Sequence, residues 1–148
     1  MRDTTGDLSS SGHREIDHTA DLGFEVWAPS EKELLIEATT ALLDLLLDRA
    51  VVCASEKRQL EVTGQDPEER LVRWLQEVYL QVEQDLWLPQ HASALEIDGD
   101  RIRGTVTGEP YDPLRHQVHT EIKAVTYHDL NVCPDSSGVL RSVVIVDV

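Results

Sequence analysis

Two amphipathic helices with clear start signals, followed by a long run of strand-like segments, limit the possible folds more than any other feature. A capping box at Ser30 predicts that the first helix begins there and runs to about Leu47. A second box at Asp66, with proline at the first helical position, predicts a helix that runs to about Leu86. Each helix carries apolar residues at helical spacing, so each must bury one face against other elements.

The remaining segments have the patterns of β-strands. Residues 22–28 alternate between apolar and polar, which predicts a half-buried strand, and a short strand is predicted around 60–62. An Asp-Gly-Asp turn at 98–100 predicts a hairpin. A further strand is predicted from 118 to about 132, and a β-branched run at 139–148 predicts a central strand covered on both faces. The order predicts one α+β domain, with mixed or antiparallel sheet layers and two helices packed on one face.

The chain has 148 residues, which suits a single domain. Residues 1–12 are polar and predict a disordered N-terminal tail, so the folded domain is expected to span 13–148. No apolar run of membrane-spanning length and no signal peptide is visible, which predicts a cytoplasmic protein without membrane contact. Cys53 and Cys133 lie far apart in sequence, and we expect two buried free thiols rather than a disulfide framework.

The charge balance limits the partners. The chain has 28 acidic and 13 basic residues and a formal net charge of −15. Nucleic acid backbones are bound by Lys and Arg, and a chain this acidic repels them at long range. High-affinity binding to RNA or DNA is therefore not expected, whereas metal cations and basic proteins are natural partners.

The first candidate site is the segment Asp17-His18-Thr19-Ala20-Asp21, just before the first predicted strand. If the segment is a loop, its two carboxylates can converge on a hard cation such as calcium, which takes about six to eight oxygen ligands. The alternative is a loop in which Asp17 or Asp21 accepts backbone N–H bonds, and from spacing alone this is the commoner arrangement.

The second candidate site is the carboxyl terminus. Asp147 is the only charged residue after Arg141, and Val148 carries the main-chain carboxylate. Two adjacent carboxylates repel each other unless a cation lies between them, so the pair is a candidate cation site. The alternative is a chain end that points into water.

A third candidate is the stretch EIKAVTYHDL at 121–130. Lys123 lies in an otherwise apolar strand and must either reach solvent or pair with a carboxylate, with phosphate binding as the less common role. His128 is interpreted as a hydrogen-bonded histidine rather than a base. His116 and His119 have no further Cys or His at zinc-finger spacing, so zinc is not expected there. Nucleotide-binding and hydrolase motifs are absent from the sequence.

Four segments together resemble the archease family. They are DHTADLGFEVWA at 17–28, DPEERLVRWLQEVYL at 66–80, EIKAVTYHDLNV at 121–132 and the terminal VDV. The early HTAD combined with the late lysine-containing motif is specific, and the resemblance covers about residues 13–148.

The resemblance implies a function as an accessory protein of an RtcB-type RNA ligase, not as an enzyme. Such a ligase joins RNA ends that carry a 2′,3′-cyclic phosphate or 3′-phosphate to a 5′-hydroxyl, in tRNA splicing and RNA repair. The accessory protein is expected to promote guanylylation of the ligase and multiple turnover. The resemblance also implies a metal site, with calcium or another divalent cation such as manganese or magnesium, formed by Asp21, Asp147 and Val148.

Lys123 is implied as a functional residue, and Asp17, His18 and His128 are expected to face the partner. Two other functions remain open from the residues. One is a stand-alone metal-dependent phosphoesterase, with Asp17, Asp21 and Asp147 holding the ion and His18 as the base. The other is a chaperone-like adaptor in which the metal is purely structural.

Overall fold

The structure is a computed structural model that describes residues 11–18, 21–118, 124–127 and 130–147, with backbone placement only for Asp17, His18 and Asp21. The tail expected at 1–12 lies almost wholly outside the described residues. The elements, in chain order, are β1 Gly12–His18, β2 Asp21–Ala28, α1 Glu31–Leu46, a 3-10 helix Arg49–Val51, β3 Glu56–Thr63, α2 Pro67–Glu83, β4 Trp87–Asp98, β5 Arg101–Pro110, β6 Ala124–Val125, β7 Cys133–Pro134 and β8 Leu140–Asp147.

Two sheets and two helices form the fold. One sheet has the order β1-β2-β8-β6, with β7 also paired to β8, and the other has the order β3-β5-β4. Every pairing between the described strands is antiparallel. Helix α1 packs against β2 and β4, and α2 packs against β3, β4 and β6, so both helices join the two sheets. The predicted α+β class is confirmed.

Both helix starts follow the predicted capping chemistry. The Ser30 hydroxyl accepts the Glu33 backbone N–H at 3.2 Å, and the Asp66 carboxylate accepts the Glu69 N–H at 2.7 Å. The second helix ends at Glu83, earlier than the sequence suggested. Leu86 adopts a left-handed φ of 50°, and the chain then enters β4 directly, which leaves no room for the expected extra turn.

Several strand boundaries differ from the predictions, because pairing partners decided them. Strand β1 was not predicted, since its sequence GHREIDH carries little apolar periodicity, yet it pairs with β2 along its whole length. Strand β4 begins at Trp87, eleven residues before the predicted turn at 98–100, and it tolerates Pro89 because the pairing with β5 is irregular there. The long strand predicted for 118–132 is also wrong over its described residues, where only β6 is a strand of that range.

Strand β8 is central, as predicted, between β2 and β6. Val144, Ile145 and Val146 are all at most 1% exposed, so both faces of the strand are covered. The core extends from this strand to Phe24 and Trp74, which are also fully buried. Neither helix is long and apolar enough to cross a bilayer.

The expectation of two buried thiols was wrong, because Cys53 and Cys133 are both exposed free cysteines. Cys53 follows the 3-10 helix, and Cys133 lies in the two-residue strand β7. Both positions are short surface segments rather than core strands, and a sequence pattern without contacts could not show this.

Candidate functional site

The register of β2 and β8 brings the early acidic segment next to the carboxyl end. Leu22 pairs with Val146, so Asp21 and Asp147, each the next residue outward along its strand, lie at the same end of β2 and β8. Facing Cα atoms in such a pair are about 4.5–5.5 Å apart. The backbones of these two predicted ligand residues are therefore neighbours at one end of the sheet, although they are far apart in sequence.

Two more strands meet at the same end. On the other side of β8, Ala124 pairs with Asp147, so the residue that follows Lys123 lies beside the chain end. At the edge of the sheet, Asp17 and His18 close β1 opposite the start of β2. Asp17, His18 and Asp21 therefore lie in two paired strands, and the expectation of a loop before the first strand was wrong for these residues.

The short strand β6 is held from two directions. The Thr126 backbone N–H donates to the Ile145 carbonyl at 3.0 Å, and the Thr126 hydroxyl donates to the same oxygen at 3.1 Å. From α2, the Gln76 amide donates to the Val125 carbonyl at 3.2 Å. Tyr127, which belongs to the late motif, follows with 52% of its surface exposed. This part of the motif is anchored to β8 and to α2.

The predicted site residues are described to different extents. Asp147 is exposed at the end of β8. Lys123, His128 and Val148 lie outside the described residues, so their roles stay predictions. The described part of the chain contains no cluster of three or more metal-ligating side chains. The adjacent strand ends of Asp21 and Asp147 are nevertheless compatible with a hard divalent cation, because both residues offer oxygen ligands.

A buried polar cluster around Glu109 was not predicted. Glu109 accepts hydrogen bonds from the Arg115 guanidinium at 2.6 Å, the Cys53 backbone N–H at 2.7 Å and His116 Nε2 at 2.9 Å. The Arg115 hydrogen bond is the largest cause, with the Cys53 N–H next, of a Glu109 pKa lowered to about 2. One sequence feature could have indicated this cluster, because Glu109 is the only charged residue between Arg103 and Asp112.

The same contacts define the state of His116. The Asp112 backbone N–H donates to His116 Nδ1 at 2.8 Å, so Nδ1 is an acceptor. The Nε2–H group therefore donates the hydrogen bond that Glu109 accepts. Both ring nitrogens of His116 therefore have a hydrogen-bond partner. His119 lies outside the described residues, so the expectation that these two histidines do not bind zinc stays a prediction.

Glu109 predicts an acid-sensitive contribution to stability. Its folded pKa of about 2 lies below the ordinary value of 4.5, so the ionised carboxylate stabilises the folded state above about pH 4.5, and this contribution is lost as the pH falls toward 2. We expect Glu109→Gln to unfold at lower urea concentration than wild type at pH 7, with a smaller loss between pH 4.5 and pH 3. The exposed Glu96→Gln is the matched control and should keep the wild-type pH dependence. If the urea midpoints of Glu109→Gln and wild type fell equally with pH, the Glu109 carboxylate would not be the source of the acid-sensitive stability.

The comparisons with known proteins agree with one another. Residues 13–148 match the model of the Archease protein family (MTH1598/TM1083). The chain is 45% identical over 121 residues to protein archease of Methanopyrus kandleri, covering 80% of this chain and 86% of that one. It is 32% identical over 137 residues to protein archease of Methanosarcina mazei, covering 90% of this chain and 93% of that one.

Two solved structures share the fold. The solution structure of Methanobacterium thermoautotrophicum protein 1598 matches with a TM-score of 0.78 and 30% identity, over 93% of this chain and 99% of that one. A crystal structure from Thermotoga maritima, described as an archease and possible chaperone, matches with a TM-score of 0.66 and 26% identity, over 91% of this chain and 96% of that one. By family model, sequence identity and fold, this chain belongs to the archease family.

Proposed function

We propose that this protein activates an RtcB-type RNA ligase, promoting its guanylylation and multiple turnover, and that it is not an enzyme itself. The observation that supports this most is the register of β2 and β8, which makes Asp21 and Asp147 neighbours. The ends of β2 and β8 with Asp21 and Asp147, here called the tip, would be the part that enters the active site of a partner protein. The cellular role would be tRNA splicing or RNA repair in the cytoplasm.

The charge of the chain favours a protein target over an RNA target. A net charge of −15 opposes the approach of a phosphate backbone, whereas an enzyme that binds RNA must itself present basic surface. Opposite charge on the two proteins would speed their association. The activator is therefore proposed to act on the ligase rather than on the RNA substrate.

The tip is proposed to hold a divalent cation, with calcium, manganese and magnesium as candidates. The carboxylates of Asp21, Asp147 and the Val148 terminus would be the ligands, and Lys123 would offset nearby negative charge. Three carboxylates leave part of a calcium coordination shell to water or to the partner. When bound, the ion would supply a positive charge for phosphate groups in the ligase, and Asp17, His18 and His128 would face the same partner.

Asp147→Asn is the variant that tests this proposal. We expect at least about a ten-fold loss of stimulation when guanylylation of the ligase is measured with GTP and a divalent metal, because a cation ligand loses its charge. Asp147 is exposed at the last described position, so the unfolding midpoint should not change. The control is Asp98→Asn, an exposed aspartate at the hairpin of the other sheet.

The outcomes separate this function from its alternatives. Stimulation by Asp147→Asn at the wild-type rate would refute the proposed role of the tip. Turnover of a phosphate ester by the purified protein alone would favour the phosphoesterase. Ligase binding that is unaffected by both EDTA and Asp147→Asn would favour an adaptor with a structural metal.

A further inference from the structure

Exposed apolar side chains concentrate along one segment of the described chain, residues 109–118. Leu114 is 94% exposed and Val118 is 39% exposed. Leu86 is 59% exposed, and its carbonyl accepts the Tyr111 N–H at 2.7 Å, so it lies beside the segment. Val51 is 44% exposed, and the N–H of Cys53, two residues later, donates to the Glu109 carboxylate. Of the five large hydrophobic side chains that are exposed in the described part of the chain, four therefore lie on this segment or beside it.

The turn that carries Leu114 is rigid, although its tip faces solvent. The Asp112 carboxylate accepts the Leu114 N–H at 3.0 Å, and the Asp112 carbonyl accepts the N–H groups of Arg115 at 3.0 Å and His116 at 2.8 Å. Arg115 and His116 are in turn bound to the buried Glu109. A leucine held in this way loses little conformational freedom on binding, which is the property of a preorganised anchor.

The surroundings of the apolar residues are acidic. The stretches 44–54, 83–86 and 109–118 contain six acidic residues and two arginines, and with Arg58, which pairs with Asp85 at 2.8 Å, the net charge is −3. Both arginines are already bound, Arg49 to Asp44 at 2.7 Å and Arg115 to Glu109 at 2.6 Å. Leu47 forms an isolated antiparallel β-bridge with Val118. Leu47, Asp44 and Asp48 also line a groove of about 470 Å³. The groove can receive a basic side chain.

We propose that the Leu114 turn is the anchor by which this protein docks on the ligase, inserting Leu114 into an apolar pocket while Asp48 meets a basic side chain at the rim. The inference rests on the proposed function and adds a second contact to it. The tip at Asp147 alters the reaction of the ligase, whereas the Leu114 turn supplies binding energy. Hot-spot residues at protein interfaces are of this kind, with a central apolar anchor surrounded by polar groups.

The charge of the region favours a basic protein over other occupants. Anionic lipid headgroups and RNA phosphates would be repelled by the net negative charge of these stretches. A second copy of this chain would bring two regions of like negative charge together. A basic surface with an apolar pocket has neither penalty, and RNA-binding enzymes present basic surfaces.

A titration of the protein against the ligase separates docking from activation. We expect Leu114→Ser to raise the half-saturating concentration for guanylylation by about 30-fold, the size of a hot-spot loss, with the maximal stimulation unchanged. Asp147→Asn should do the reverse, lowering the maximum at an unchanged half-saturating concentration. Leu114→Met, which keeps an apolar side chain, should restore most of the affinity. Urea unfolding of all variants should match wild type, because Leu114 is 94% exposed.

Asp48→Asn tests the rim. Asp48 caps the 3-10 helix by accepting the Ala50 N–H at 3.2 Å, and asparagine caps equally well, so only the charge is lost. We expect the half-saturating concentration to be several-fold higher than that of wild type at low salt. The two values should converge at high salt. Leu114→Ser that titrates like wild type would overturn the docking proposal while leaving activation intact. Wild-type protein without any stimulation would refute the proposed function and the anchor together.

Discussion

Replacing Trp74 by alanine is expected to destabilise the folded state by about 3–5 kcal/mol, the cost of removing a large buried aromatic side chain. Trp74 is fully buried, and its indole N–H donates to the Thr39 hydroxyl at 2.9 Å, which joins α2 to α1. The ring also covers Gly104 of β5, where an added Cβ would lie 2.5 Å from the indole. The truncation would therefore open a cavity where both helices meet the second sheet. Urea unfolding followed by circular dichroism measures the loss.

Two variants bracket this prediction. Trp74→Phe keeps most of the ring volume but loses the N–H donor, and we expect a cost of about 1–2 kcal/mol. The Thr39 hydroxyl still donates to the Leu35 carbonyl at 2.6 Å, so it is not left without a partner. Tyr127→Ala removes an aromatic ring that is 52% exposed and should change stability little. Equal losses for Trp74→Ala and Tyr127→Ala would contradict the core described above.

Gly108→Ala is expected to cost about 3 kcal/mol or more, although it adds only one methyl group. A Cβ at Gly108 would lie 2.1 Å from the Leu88 carbonyl oxygen and 2.9 Å from the Pro89 Cα. These are backbone atoms, so the contact cannot be relieved by a side-chain rotation, and β4 must move away from β5. The pairing of the two strands is irregular between Pro89 and His91, next to this contact. Lower urea midpoints and a loss of sheet signal are the expected readouts.

A second glycine provides the comparison. Gly99 has a φ of 62° in the hairpin turn, and an added Cβ there would meet nothing within 4 Å. Gly99→Ala should therefore cost only the penalty of the left-handed conformation, about 1–2 kcal/mol. If the two substitutions were equally costly, the close contact between β4 and β5 would not be the cause of the Gly108 effect.

Local chemistry explains the parts of the fold that the sequence predicted well. The helix starts at Ser30 and Asp66 depend on side chains that bind N–H groups three residues away, so a short window contains all the information. The hairpin at 98–100 depends on a Gly at positive φ, and Gly99 adopts it. The β-branched run of β8 has few alternatives to a buried central strand.

Tertiary contacts decided what the local patterns missed. Strand β1 has a polar sequence, and pairing with β2 together with ion pairs such as Arg14 with Glu25 at 2.8 Å holds it at the sheet edge. The Glu109 cluster joins Cys53 to His116 over more than sixty residues of chain. Neither arrangement has a periodicity or a motif of its own, because each depends on which distant groups the fold brings together.

The sequence by itself determined the two helices, the α+β class and the family, because capping, hydrophobic spacing and motif order are written within short stretches of chain. Only the tertiary structure decided that Leu22 pairs with Val146, which brings the ends of β2 and β8 together, and that Ala124 pairs with Asp147. The β2–β8 register joins residues that are more than a hundred positions apart, and it is selected by the burial of whole strand faces rather than by the residues at the strand ends.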